Sequence, residues 1–280
     1  MTSGLGAPRS VEVGAFRGWV RGRVIDLPPG FLEDPVAALE GPHVRLLRAK
    51  KNTVVEVPGE PGWIVRRYIP RGLHSVVRNS VMVSKEANAF TFALEYERRE
   101  IPTAPVLAFV ERHENGIFRE SILVTAKIPS TTLKERVLAA DAEHAGRRNP
   151  GRGRRAWLRA FARFVRKAHA AGVYHGDLNG GNVLVPLDVT APAEDAFVLI
   201  DVNRTAFGEP HEPKRVAADL AHVGGTPDER RFVLRCYVDD AKEYLRLRDK
   251  VLRLRSLKDT RKRLNRKLGL KKTLAAFKLK

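Results

Sequence analysis

Apolar and polar positions alternate over short runs in the first half of the chain and recur at helical spacing in the second. From His43, the residues Val44, Leu46 and Leu47 lead into a polar turn, Lys50-Lys51-Asn52, and then to Thr53-Val54-Val55-Glu56-Val57. A Pro/Gly turn at 58–62 precedes Trp63-Ile64-Val65, which ends in Arg66-Arg67-Tyr68. Three such runs separated by turns predict an antiparallel meander. Residues 83–100 predict a helix that stops before Ile101-Pro102. A second hairpin is expected where Val106–Val110 and Ile122–Val124 flank Glu114-Asn115-Gly116. Residues 147–155 read as a basic loop. The clearest helix follows at 156–171, where Trp157, Phe161, Phe164, Val165 and Ala168 repeat at 3–4 spacing and Gly172 stands at the C-cap. Short strands are expected at Val183–Val185 and Phe197–Ile200, and helices at 212–223 and 228–257. Residues 1–43, broken by Pro28-Pro29-Gly30, Pro35 and Gly41-Pro42, read as an irregular entry segment. Strands with one helix, then mostly helices, predict an α+β chain.

Composition sharpens this picture in two places. The 280 residues are 43% hydrophobic, enough for a real core, which excludes wholesale disorder. The single cysteine, Cys236, excludes an intrachain disulfide and suits a reducing compartment. With no apolar run of about 18 residues and no signal-like N-terminus, a soluble cytoplasmic protein is expected. The net charge is +19, but residues 241–280 alone carry 16 Lys and Arg against three acids. The basic character is therefore mostly a property of the tail.

The chemistry concentrates in Tyr174-His175-Gly176-Asp177-Leu178-Asn179-Gly180-Gly181-Asn182, a polar, glycine-rich loop between a helix and a short strand. Asp177 can accept a proton from an attacking hydroxyl. Asn182 can offer a neutral oxygen to a metal, and Asp201, closing the Phe-Val-Leu-Ile run, can offer a carboxylate. One amide and one carboxylate oxygen, completed by phosphate oxygens, suit Mg²⁺. Taken singly, each could be a turn residue; together and in order they point to a site. His175 is grouped with Asp177 as a catalytic candidate, with bracing of the loop as its other reading.

The His-Gly-Asp…Asn block and the later Ile-Asp resemble the catalytic loop and metal-binding Asp of the protein-kinase-like fold. That resemblance implies two lobes: a small antiparallel-sheet N-lobe at 44–126 and a mainly helical C-lobe at 127–257, after an N-terminal extension (1–43) and before a basic tail (258–280). It also implies a third-strand cation that grips ATP phosphates and pairs with a helix Glu. Arg66 is the candidate, with Arg67 beside it; alternation turns only one of them inward. Glu86 is the expected partner. The first hairpin turn carries Lys50 and Lys51 rather than glycines, so phosphate contacts there would involve side chains.

Asn179 stands where protein kinases usually carry Lys, and only 17 residues separate Asp201 from Asp219, too few for a peptide-docking segment. Val65-Arg66-Arg67-Tyr68 with Arg71-Gly72, Glu100-Ile101-Pro102-Thr103-Ala104-Pro105, the 174–182 loop and Leu199–Arg204 together resemble the lipopolysaccharide core kinases, the Kdo and heptose kinase group, over roughly residues 44–240. The resemblance implies ATP and Mg²⁺ as cofactors and transfer of the γ-phosphoryl group to a lipid-linked or small-molecule sugar. Asp177 would act on the acceptor, Asn182 and Asp201 on the metal, and Asp219 would brace the loop. Arg204 could bind an anionic acceptor or close a salt bridge within the loop. A RIO-like or atypical protein kinase, and a pseudokinase binding module, are the competing readings.

The tail carries an apolar stripe, Tyr244, Leu247, Val251 and Leu254, surrounded by Arg and Lys. Such a helix can lie on an anionic membrane, here the inner face of the cytoplasmic membrane, bind nucleic acid, or pack on the large lobe.

Overall fold

The computed structural model describes residues 5–23, 26–41, 43–49, 52–60, 62–143 and 151–267. Contacts divide the chain into two compact units, Met1–Pro129 with Asp201–Asn203, and Ser130–Ile200 with Arg204–Lys280.

The first unit is built on seven antiparallel strands. They are β1 (Arg9–Val13), β2 (Phe16–Val20), β3 (Arg45–Ala49), β4 (Asn52–Val57), β5 (Trp63–Tyr68), β6 (Val106–Glu114) and β7 (Ile117–Ala126), in the order β1-β2-β6-β7-β5-β4-β3. The expected meander is β3-β4-β5. The second hairpin turns on Asn115-Gly116, whose φ values of 52° and 74° suit a two-residue loop that follows the strand twist.

The irregular reading of residues 1–43 is corrected. Val11 and Val13, then Phe16 and Val20 across the Gly14 turn, alternate as strand positions. Phe16, Val20, Leu27, Phe31 and Leu39 join the sheet core with Val55, Val65, Val110 and Val124. Gly18 is required there: a Cβ would lie 1.9 Å from the Phe109 carbonyl oxygen on β6.

Two helices complete the unit. The first, α1 (Leu73–Val81), had no counterpart in the sequence reading. The second, α2 (Lys85–Arg98), is the one expected at 83–100. Ser84 starts α2 by accepting the Ala87 N–H, and Phe90 packs on Phe109 of β6.

The second unit contains β8 (Ser130–Thr132), α3 (Leu133–Ala142), α4 (Arg152–Ala170), β9 (Val173–Tyr174), β10 (Val183–Pro186), β11 (Val198–Leu199), β12 (Ala206–Phe207), α5 (Pro213–Leu220), α6 (Pro227–Tyr237) and α7 (Ala241–Lys267). Trp157, Phe161 and Phe164 of α4 surround Phe197, with ring centroids 5.5–6.2 Å apart. Gly172 follows the helix at φ 67°, as its C-terminal position requires.

Two expectations change in this unit. Residues 152–155 are helical rather than loop, and 147–150 lie outside the described residues. The single helix expected at 228–257 is two, because Val238 is extended and Asp240 accepts the Glu243 N–H to start α7. Val251 on α7 is buried, and Tyr244, Leu247 and Leu254 are half-buried. The apolar stripe therefore packs within this unit, α7 meeting α5 and α6. The structure thus favours the packed helix over a stripe left open for a membrane.

Candidate active site

The loop at 175–182 joins β9 to β10, and the second unit holds it from behind. Asp219 near the end of α5 is buried, and each of its oxygens accepts one loop N–H: Oδ2 from His175 and Oδ1 from Gly176, both at 2.8 Å. His169 Nε2 also meets Asp219 Oδ2, at 3.1 Å. Gly176 sits at φ 76°, and a Cβ there would lie 2.5 Å from the Arg204 carbonyl oxygen, so the turn needs glycine.

Both ring nitrogens of His175 are committed. Nδ1 accepts the Asp177 N–H at 3.2 Å, which leaves Nε2–H to donate to the Ile200 carbonyl at 2.9 Å. With its ring buried and both nitrogens bonded to the backbone, His175 positions the loop. Of its two readings, bracing of the loop is the one these bonds support.

Asp177 presents its carboxylate between Asn179 Nδ2 on Oδ1, at 3.2 Å, and Arg204 Nη1 on Oδ2, at 3.3 Å. Arg204 is mostly exposed, so of its two readings the loop salt bridge is the one present. Asn182 donates Nδ2 to the Asp177 carbonyl at 3.0 Å, a bond that fixes the amide and turns Oδ1 away from it. Lys258, which the sequence assigns to the basic tail, stands on α7. Burial pushes its ammonium group down, the attraction of Asp177 opposes this, and Arg255 and Arg204 push the same way as burial. Arg255 fastens this part of α7 by donating to the carbonyls of Ala221 and Val223, at 3.2 and 3.0 Å. No local spacing could have placed Lys258 in the field of Asp177.

In the first unit, β5 points its two arginines to opposite faces. Arg66 Nη1 meets Asp201 Oδ1 at 2.9 Å, and Asn203 Nδ2 donates to the same oxygen at 3.1 Å. Arg67 instead meets Glu120 of β7 at 2.7 Å. Asp201 is held at φ 60°, in the left-handed region that few side chains other than Asp and Asn adopt readily.

Glu86 in the first turn of α2 has no exposed surface. It accepts Ser121 Oγ at 3.2 Å and Asn52 Nδ2 at 3.3 Å. The expected ion pair with Arg66 is not formed, since the guanidinium turns to Asp201. Arg66 is still close enough to act on Glu86: burial raises the carboxyl pKa, while Arg66 first and Ser121 less strongly pull it back. Lys50 and Lys51 lie outside the described residues.

As metal donors, the Asn182 amide and the Asp201 carboxylate are hard oxygens of the type Mg²⁺ prefers. Among the described residues no group of three or more His, Cys, Asp or Glu could hold an ion, and no helix is long and apolar enough to cross a membrane.

The sequence profile of the lipopolysaccharide kinase (Kdo/WaaP) family matches residues 36–223. No match was found among curated protein sequences. Among solved structures, the chain is similar to WaaP in complex with acyl carrier protein, at 20% identity and a TM-score of 0.57, over 90% of this chain and 98% of that one. It is also matched by amicoumacin kinase hAmiN in complex with AMP-PNP, Ca²⁺ and Ami, at 14% identity and a TM-score of 0.43, over 78% and 83% of the two chains. The fold is protein-kinase-like, and with the family profile spanning well over half of its length the chain belongs to the lipopolysaccharide kinase (Kdo/WaaP) family and is a kinase.

Proposed function

We propose that the protein transfers the γ-phosphoryl group of ATP to a hydroxyl of a lipopolysaccharide core sugar. The observation that carries this reading is the Asp177 carboxylate, held on a loop whose backbone is fixed by Asp219, His175 and Asn182. Asp177 orients the acceptor hydroxyl and takes its proton as the oxygen bonds to the γ-phosphorus and ADP departs. Arg66 exchanges its contact with Asp201 for the nucleotide phosphates, where a guanidinium fork matches phosphate oxygens. Asn182 and Asp201 would hold Mg²⁺, which supplies charge neutralisation on the phosphates. Arg204 and Lys258 give the acceptor side a positive field suited to an anionic sugar. The protein's contribution is then alignment and fixed charge rather than covalent chemistry.

The similar WaaP structure holds acyl carrier protein. The reading extends to a carrier-protein partner for this chain. Mixing the purified proteins in size-exclusion chromatography checks this: co-elution is expected, and separate elution at low salt removes the partner.

The activity itself is tested with γ-labelled ATP, a lipopolysaccharide core precursor and, separately, a generic protein. Label on the glycolipid that disappears in Asp177→Ala is expected. Label on protein alone would replace this reading with an atypical protein kinase. ATP binding without transfer to either acceptor would leave the lipopolysaccharide assignment without support.

A further inference from the structure

On α4, α5, α6 and α7 the second unit lines an open pocket of about 570 Å³, a size common for small-ligand sites. Its walls combine apolar surface from Val216, Val238 and Leu247 with three permanent cations, Arg166, Arg246 and Lys250. Two carboxylates oppose them. Asp239 pairs with Arg166 at 2.6 Å, and Glu243 lines the wall. Lys250 gives one proton to the Pro213 carbonyl at 3.1 Å and keeps two more donors. Arg246 has no ion-pair or hydrogen-bond partner among the described residues.

Exposed His211 and buried Tyr237 both line the pocket, and from them a line of hydrogen bonds runs to the loop at 175–182. Its direction follows from the groups. Asp219 is an acceptor, so His169 donates Nε2–H to it, at 3.1 Å. His169 Nδ1 is then the acceptor for the Tyr237 hydroxyl proton, at 2.8 Å. The Tyr237 oxygen is left to accept His211 Nδ1–H over a longer 3.4 Å. At the far end, Asp219 holds the His175 and Gly176 N–H groups. His169 and Asp219 are fully buried, so a shift of Tyr237 is not absorbed by water.

We propose that this pocket binds a phosphate monoester through Arg246, Arg166 and Lys250, and that occupancy is transmitted through Tyr237, His169 and Asp219 to the loop at 175–182. Forked guanidinium donors match a dianionic phosphate, and the apolar wall takes the organic body of the ligand. The coupling half rests on reading 175–182 as the catalytic loop. Binding and amide exchange are read without any phosphoryl transfer, so this inference and the proposed activity fail separately.

The test titrates the full-length protein with inorganic phosphate, glucose 6-phosphate and hexyl phosphate by calorimetry, and follows amide exchange at His175 and Gly176. The sugar ester and the alkyl ester distinguish a soluble metabolite from a lipid-like source. At least one ester is expected to bind more tightly than inorganic phosphate. Arg246→Ala should weaken it about tenfold, as loss of a charge-assisted bond implies. Binding should slow exchange at His175 and Gly176. Tyr237→Phe should keep binding and lose that effect, with His211→Gln as the second variant should Tyr237→Phe not fold.

No binding of either ester at about 10 mM overturns the site. So does equal affinity for inorganic phosphate, or indifference to Arg246→Ala. Arg246-dependent binding that leaves the exchange of both amides unchanged overturns the coupling.

Discussion

Around residues 175–182 the buried polar groups are neutral or singly charged and meet partners of matching number: two N–H groups on two oxygens of Asp219, two ring nitrogens of His175 on one N–H and one carbonyl. Around β5 the arrangement is ionic and incomplete. Glu86, with no exposed surface, has two neutral donors and no ion-pair partner in contact, because Arg66 is drawn to Asp201. A satisfied network is rigid, and a loop built that way is organised before substrate arrives. Charges with a choice of partners can exchange them when a polyanion binds. The first region is made to hold a group still, and the second to redistribute charge.

The largest effect expected from this contrast is on activity. Asp177→Asn keeps the loop's backbone bonds and removes only the proton acceptor, so phosphoryl transfer should fall by about 10²–10⁴-fold. Stability should hardly change, since the lost pair with exposed Arg204 is worth about 0–1 kcal/mol. Steady-state kinetics beside a thermal melt checks both. Transfer at the wild-type rate would remove Asp177 from the mechanism.

Next is Asp219→Ala, which strands two loop N–H groups and the His169 ring in a dry interior. A loss of about 2–5 kcal/mol in urea unfolding is expected, together with lost activity. A variant that loses activity at full stability would mean Asp219 acts on the reaction rather than on the loop.

A smaller effect separates the two arginines of β5. Arg66→Ala should raise the KM for ATP by about tenfold, with Arg66→Lys between it and wild type, because lysine keeps the charge but not the fork. Arg67→Ala should leave that KM alone and lower stability modestly, as it removes one of the two arginines on buried Glu120 and leaves Arg112 at 2.8 Å. Equal KM effects for Arg66→Ala and Arg67→Ala would contradict the alternation that puts them on opposite faces.

How much of this was legible in the sequence depends on how local each signal is. The His-Gly-Asp…Asn spacing needs one loop, and the loop formed as read. The α4 stripe and the Asn115-Gly116 turn are local too. Other local signals are legible as well: Val11, Val13, Phe16 and Val20 alternate across Gly14, and Thr132-x-x-Glu135 and Thr226-x-x-Glu229 are reciprocal helix caps. The partner of Arg66, by contrast, depends on residue 201 itself adopting a positive φ. Lys258 reaches the field of Asp177 only through the docking of α7. Neither has a periodicity to read, because both are set by packing between elements far apart in the chain.

The subtlest prediction concerns Glu86 and pH. Burial raises its carboxyl pKa above the ordinary 4.5, against the opposing pull of Arg66. The folded protein therefore holds this proton to higher pH than the unfolded chain does. The stability that proton binding contributes is fully present below 4.5 and is lost as pH rises through the raised folded value. Glu86→Gln is always neutral and cannot lose it. Urea unfolding of the two proteins from acid to neutral pH should show wild-type stability falling relative to the variant as pH rises. A constant difference across that range would mean that Ser121 and Asn52 compensate the buried charge fully. Arg66→Ala sharpens the comparison, because it removes the cation that offsets burial. The wild-type slope should then extend to higher pH, and introducing Glu86→Gln into that background should abolish the extension.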